Sequence, residues 1–419
     1  MIQTFELQPV DTLFFRDARP MQAGAGSGGH GANWPLPTTL HEALRTMLLR
    51  ESGLLPAEYS CNGWRKRNKD GNLTAIRIGY CTRAFESLRI VGPLPVRNKR
   101  MHFPAPLDLA PVEGSDWAVM RPLASSPGDA NFPAGWLRPV AAKTRAEKAS
   151  LYPSWITIEC FIRYLAATEN LEIPREPALL YSEPRIGIGI DPTSRAATEG
   201  KLFASEHLRF DDGVGVWVEA SLSSSDSAVK DTGYDLKKCF GKVFTFGGES
   251  RMCRILEGAD PGLKNIPRPQ GTLIKWVAVT PALFMDGWRP NWIRKEDGAV
   301  LLKEGNIERL PNENRLAWRE RIRKLPHLEA KLIAVRTSGF RCFSGWDLNL
   351  KNNSNGKVSS GGPKATVFAI PAGSVYYFKA KTNEAAGHLV QALHGRTLSD
   401  FFGEKGMGLG FCGRWEPLI

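Results

Sequence analysis

The sequence predicts an α+β fold, antiparallel sheets with a few amphipathic helices packed on one face. Short segments in both halves of the chain alternate apolar and polar residues, the period of a strand with one buried face. Only three segments carry the apolar stripe of a helix. Between the halves, proline and glycine collect at 257–271, "EGADPGLKNIPRPQG", after which the alternation resumes. The expected organisation is two units, 1–260 and 261–419, each built on a ferredoxin-like or RNA-recognition-motif-like core. The order of strands within each is not derivable from the pattern.

Along the chain, "TFELQ" alternates Phe5 and Leu7 with Thr4, Glu6 and Gln8 and reads as a strand. "DTLFFRDARP" follows as a charged turn, and 24–31 as a glycine-rich loop. "TTLHEALRTMLLRES" is the clearest helix. Thr39 and Glu42 have capping-box spacing, Leu40, Ala43, Leu44, Met47 and Leu48 form a stripe, and Gly53 closes it. Arg45 lies off that stripe and is expected to face outward. The stretch 104–150, rich in Pro, Gly, Ser and Ala, reads as long loops. A second helix is expected over 154–167, capped by Ser154, with Ile158, Phe161, Ile162 and Leu165 on its buried side. Then come "RIGIGID", a polar turn "PTSRAATEG", "KLFASEHLRF" and "GVGVWVEA", all strand-like. The first two strands form a long hairpin with a small-residue tip, and Arg195 at that tip can reach a phosphate. A polar loop at 221–235 and "KVFTFGGESR", a strand entering a Gly-Gly turn, end the first half. In the second half "TLIKWVAVT", "KLIAVRTS", "FRCFSGWDL" and "TVFAIPAGSVYYFKA" read as strands. The third helix spans 385–394, with Ala386, Leu389, Val390 and Leu393 inward.

Apolar residues make up 42% and charged residues 23%, ordinary for a soluble globular chain. No apolar run is long enough to span a bilayer, and the N-terminus lacks a secretory pattern, so a cytoplasmic protein is expected. Seven cysteines show no C-x-x-C spacing and are read as reduced, buried thiols. The net charge of +12 points to an acidic partner, most commonly nucleic acid. Four clusters, "GWRKRNK", "VRNKRMH", "GWRPNWIRK" and "WRERIRK", gather Arg and Lys, three of them with Trp, suiting phosphate contact and base stacking.

Gly408, Gly410 and Gly413 spell G-x-G-x-x-G, but only six residues follow, too few for the helix and acidic residue of a dinucleotide site. "GAGSGG" at 24–29 opens no helix either. The seven histidines show no metal-ligand spacing, and there is no G-x-S-x-G elbow. His30, in the glycine loop, is the one candidate general base for a metal-independent ribonuclease. Asp191, Glu199 and Glu206 are more simply read as turn and strand-end residues than as a metal cluster. No cofactor and no metal are expected. The C-terminal "GMGLGFCG" bares its backbone, either to an anion or RNA strand or in a turn into a last strand, with Lys405 and Arg414 at its ends.

Seven blocks in order resemble one family: "DTLFFRDARPM", "PLPTTLHEALRT", "FPAPLDL", "RIGIGIDPTSRAATEGKLFASEHLR", "GGESR", "IPAGSVYYF" and "GMGLGFCGRW". The chain resembles the third-subunit family of the Cmr complex, the type III-B CRISPR effector, within the RAMP superfamily. The resemblance implies two facing ferredoxin-like domains with long inserted loops, and no catalytic role. It implies that the subunit holds the 5′ handle of the CRISPR RNA (crRNA) and docks on the large polymerase-like subunit. Neighbouring backbone RAMP subunits would complete the groove, and target RNA would be met only indirectly. Asp191–Glu206 resembles the family's base-displacing thumb hairpin, offering Asp191, Thr193, Arg195 and Gly200. Arg16 and Arg19 are the expected phosphate contacts, with Arg45 and Arg251 behind them, and Lys405, Gly406, Gly408 and Gly410 match the family's RNA-facing glycine loop. An endoribonuclease of the same superfamily, or an assembly protein without RNA contact, are the competing readings.

Overall fold

The structure, a computed structural model, describes residues 1–16, 32–54, 65–67, 73–75, 84–112, 116–125, 132, 134–143, 153–166, 169–226, 229–230, 233–305, 309–310, 312–344, 346–347, 362–363 and 365–419. The first half runs β1 (Ile2–Pro9), α1 (Pro37–Glu51), β2 (Arg89–Arg97), β3 (Arg100–Pro104), β4 (Trp155–Thr157), α2 (Ile158–Ala166), β5 (Leu180–Ile190), β6 (Ala197–Phe210), β7 (Val214–Ser221), β8 (Val243–Thr245) and β9 (Met252–Glu257). The second runs β10 (Leu273–Ala278), α3 (Arg315–Lys324), β11 (Ala330–Arg336), β12 (Val375–Ala380), α4 (Asn383–Leu393), β13 (Arg396–Thr397) and β14 (Leu409–Arg414). A seven-stranded antiparallel sheet has the order β4-β3-β2-β7-β1-β9-β8, and a five-stranded one the order β11-β12-β10-β14-β13. The two share a plan. In chain order, the four strands β1, β2, β7 and β9 lie second, third, first, fourth, and so do β10, β11, β12 and β14.

Alternation explains the first sheet. Phe5 and Leu7 of β1 point inward opposite Val218 and Val216 of β7, and Leu40, Leu44 and Leu48 of α1 cover them. The central β10 is buried on both faces. Ile274, Trp276 and Ala278 pack under α4, whereas Val277 turns toward the first half. There Leu94, Phe103, Phe161 and Trp217 share one core with Val277, Val375, Tyr377 and Phe411. Phe103 stacks on Phe161 at 4.3 Å, and Phe411 meets both edge-on. Removing such aromatic surface from water is what fuses the halves.

One polar cluster lies inside this seam. Lys275, fully buried, donates to the Tyr164 carbonyl at 3.1 Å and sits 3.7 Å from that ring's centre. Burial pushes its amine down to about 8, against the pull of Asp108. Asp108 accepts from the hydroxyls of Tyr164 and Tyr377 and is raised by burial despite those partners and Lys275.

Several elements differ from expectation. The capping box of α1 does not form, because Pro37 takes the first helical position and Leu36 the cap. Glu42 instead binds Lys405. Gly53 does end that helix, in the left-handed region at φ 66°. Residues 155–157 are strand rather than helix, since Ile156 pairs with Phe103 of β3. The Thr157 hydroxyl then accepts from Cys160 N in place of the expected Ser154 cap. The buried side of α2 becomes Cys160, Phe161, Tyr164 and Leu165, with Ile158 and Ile162 only half-buried. The expected loops of 104–150 contain Leu109–Pro111 and Asp116–Val119, which join Asn170–Glu172 in a small sheet. Among the described residues no helix is long and apolar enough to cross a membrane.

Candidate nucleic-acid interface

The β5–β6 hairpin departs from the sheets at a clamped root. Leu13 and Leu208 exchange both backbone hydrogen bonds, at 2.9 and 2.7 Å. Asp11 accepts from Arg185, Arg209 and Arg251, and Glu183 from Arg185 and Arg209. The hydrogen bond from Arg185 is the largest influence that draws the Asp11 carboxyl down to about 2. Behind the ion pairs, buried His207 sits between the Thr12 and Ser205 hydroxyls at 3.1 and 3.0 Å and stacks on Phe14. Burial, then Arg251 and Arg185, lower its pKa. The "GGESR" turn braces the same root. Gly248 N donates to Phe14 O, and a Cβ on Gly247 would stand 2.5 Å from that oxygen.

Beyond Arg185 the hairpin runs into solvent. Ile186, Ile188, Ile190 and Leu202 are 77%, 53%, 60% and 63% exposed. Ile188 pairs with Leu202 and Ile190 with Ala197, so these side chains share one face. Glycines 187 and 189 alternate with them. At the tip, Asp191 Oδ1 accepts from Thr193 N, Ser194 N and the Ser194 hydroxyl. Those bonds lower its pKa. Asp191 thus shapes the turn. Thr193 and Arg195 stand exposed on it, Arg195 in the left-handed region at φ 54°. Gly200, at φ 72° with open space where a side chain would go, lies where β6 carries extra residues between the Ile188 and Ile190 pairings.

The structure therefore gathers Asp191, Thr193, Arg195 and Gly200 at the outer end of the hairpin. Arg251 and exposed Arg16 lie at its root, roughly 20 Å away by strand rise. Arg19 and His30 lie outside the described residues. The other expected contacts sit elsewhere and are engaged by protein. Arg45 is half-buried and donates to Ala84 O at 3.1 Å rather than standing free toward solvent. Lys405 pairs with Glu42 at 2.6 Å. Burial would raise Glu42, but hydrogen bonds from His41 and Lys405 hold its carboxyl at about 2. The glycines of the C-terminal loop are packed tightly within the protein. A Cβ on Gly406 would meet Gly92 O at 2.4 Å, on Gly408 Ser399 N at 2.5 Å, and on Gly410 the Trp276 ring at 2.3 Å. All three are buried, so the close approach they permit is of chain to chain.

Two basic clusters are also structural. Arg97 binds Asp211 and the carbonyls of Pro177 and Ala178, and Arg100 binds Glu159 and Glu176. Arg289 holds Asp286 and Arg294 holds Asp297, beside buried Trp292. Of "GWRKRNK" only 65–67 is described, as a strand. "WRERIRK" forms most of α3, a helix the sequence reading missed.

The family profile of the CRISPR-associated protein Cas_Cmr3 matches residues 5–415. The chain belongs to the Cas_Cmr3 family. Comparison with curated proteins finds no match. Among solved structures, it is similar to a chain of the type III-B Cmr-beta complex bound to cognate target RNA and AMPPnP. Identity is 14% and the TM-score 0.42, over 90% of this chain and 86% of that one. It is also similar to a chain of the Csm3–Csm4 subcomplex of the type III-A CRISPR-Cas interference complex. There the identity is 8% and the TM-score 0.33, over 91% and 95%. Family membership agrees with the resemblance carried by the seven sequence blocks.

The sequence reading missed the exposed isoleucine stripe and the Asp11 ion network. "RIGIGI" held the signal for the first, an alternation whose other face is glycine. Nothing local tells Asp11 that its partners lie more than 170 residues away.

Proposed function

We propose that the chain is a non-catalytic RNA-gripping subunit of a type III-B CRISPR effector, holding the 5′ handle of the crRNA and docking on the large polymerase-like subunit. Membership of the Cas_Cmr3 family supports the assembly. The repeated strand order supports two ferredoxin-like halves, 1–260 and 261–419.

One observation carries the gripping role: a hairpin clamped at the root whose Ile186, Ile188, Ile190 and Leu202 are exposed beyond it. Root rigidity comes from the Leu13–Leu208 pairing and the Asp11 ion network. Outward, bulky Ile188 and Leu202 can enter a single strand between bases, while Arg195 meets a phosphate. Arg16 and Arg251 then lie toward the strand at the root. Neighbouring RAMP subunits would close the groove, and target RNA would lie beyond it.

The test replaces 191–196 with a short turn and, separately, Arg195 with Ala, in the full chain within its complex. Handle affinity is expected to fall, and to fall less steeply with salt once Arg195 is gone. Unchanged affinity and salt slope in both variants contradicts the reading. Incubation with precursor crRNA without metal completes it. Specific cleavage that disappears with His30→Ala would mark an endoribonuclease instead.

A further inference from the structure

Helix α3 is unusual in that none of its ten residues is buried. A helix without an apolar face against the core normally lacks the packing that holds it. Polar anchors hold this one. The Asn314 side chain accepts from Ala317 N at the start. Glu313 takes a two-pronged bond from Arg321 at 2.8 and 3.0 Å. Lys303 Nζ donates to the carbonyls of Arg323 and Leu325 at the end, at 3.3 and 2.7 Å, satisfying acceptors the helix leaves open. Trp318, Arg321 and Ile322 are the half-buried residues, so that side faces the body.

Along the flank next to that side run Arg315, Arg319 and Arg323, all exposed. At i, i+4 and i+8 they fall within a sector of about 80° and stand about 6 Å apart. None has a hydrogen-bond or ion-pair partner for its side chain among the described residues, in contrast to Arg97, Arg100, Arg289 and Arg294. Leu316, 68% exposed, flanks them. Unpaired guanidinium groups on a rigid ridge are matched by phosphate, which they bind through two parallel hydrogen bonds.

We propose that the Arg315–Arg319–Arg323 ridge binds the sugar-phosphate backbone of single-stranded RNA, a contact separate from the hairpin and indifferent to base sequence. The inference rests on the RNA-gripping reading and adds a second surface to it. The ridge is about 12 Å long and faces about three phosphates. Leu316 lies against a ribose or base edge.

The experiment measures binding of the full chain to a 40-nucleotide single-stranded RNA of mixed sequence across a salt series. It compares the parent, Arg315→Gln/Arg319→Gln/Arg323→Gln, Lys324→Gln on the helix's other side, and Arg195→Ala. Because none of the ridge residues is buried, unfolding profiles of the triple variant and parent are expected to coincide. The ridge variant is expected to bind about tenfold or more weakly at low salt, its logarithmic salt slope shallower by about 2, equally for RNAs of different sequence. Lys324→Gln should change little. Parent-like affinity and slope in the triple variant overturn the ridge while leaving the hairpin reading intact. A triple variant that binds RNA normally but no longer co-purifies with the other subunits also overturns it, assigning the ridge to an acidic protein face. A parent chain that binds no RNA, alone or in its complex, overturns both readings.

Discussion

Gly410→Ala separates a packing role for the C-terminal glycines from an RNA-facing one. The new Cβ would lie 2.3 Å from Trp276 Cε2 and Nε1, more than 1 Å inside ordinary contact. Trp276 cannot retreat. It is fully buried on β10 between β12 and β14, under α4, with Tyr376 at 5.6 Å. Overpacking of this kind costs about 1–3 kcal/mol, and so fixed a neighbour puts the change at about 3. Gly408→Ala adds the left-handed backbone penalty at φ 73° to a contact at 2.5 Å from Ser399 N, so it should cost more still. Gly200→Ala is the control, with φ 72° but open space, and should cost only about 1 kcal/mol. Urea unfolding followed by tryptophan fluorescence reads the stabilities, and anisotropy reads RNA affinity of the folded variants. If Gly410→Ala kept parental stability and lost RNA affinity, the glycine would face nucleic acid and the packing argument would fail.

Three further outcomes are expected. Asp11→Ala should leave global stability within about 1 kcal/mol, since its ion pairs are exposed, yet speed amide exchange at Leu13 and Leu208. The Asp11 carboxyl is depressed in the folded chain, so its clamp holds above about pH 4 and weakens as pH falls toward 2. Exchange rates that ignore both changes would discard the clamp. Lys275, lowered to about 8 when folded, binds fewer protons there than in the unfolded chain between pH 8 and 10. Stability relative to Lys275→Met should therefore rise through that window, with a slope of at most about 1.4 kcal/mol per pH unit; a flat difference in urea midpoints would refute it. Arg97→Ala should lower stability by about 1–3 kcal/mol, by freeing Asp211 and two carbonyls, and leave RNA affinity as it was, as paired urea and anisotropy titrations would show.

Period-2 and period-3.6 patterns carried much of the fold. Phe5 and Leu7, α1, α4 and the long hairpin all lie where the alternation puts them, because burial of one face is a local property of sequence. Residues 155–157 did not read correctly, since strand pairing with Phe103 outweighs a local helical pattern. Charge was the least legible feature. "VRNKRMH" and "WRERIRK" look alike on paper, but Arg97 and Arg100 meet acids distant in the chain, whereas in the second block Arg321 meets nearby Glu313 and Arg319 and Arg323 meet no acid among the described residues. The glycine run read as a demand for close approach, which is right. What approaches is Ser399, nine residues back, and Gly92 and Trp276, which no local window contains.

The central claim is that the β5–β6 hairpin grips the leading end of the guide. Photo-crosslinking answers it most directly, using assembled complex whose crRNA carries 4-thiouridine at successive positions of the 5′ handle and the first guide nucleotides. The account predicts crosslinks to peptides spanning 186–202, lost when 191–196 is replaced. Crosslinks from every handle position to other subunits alone, with the hairpin unlabelled, would contradict it.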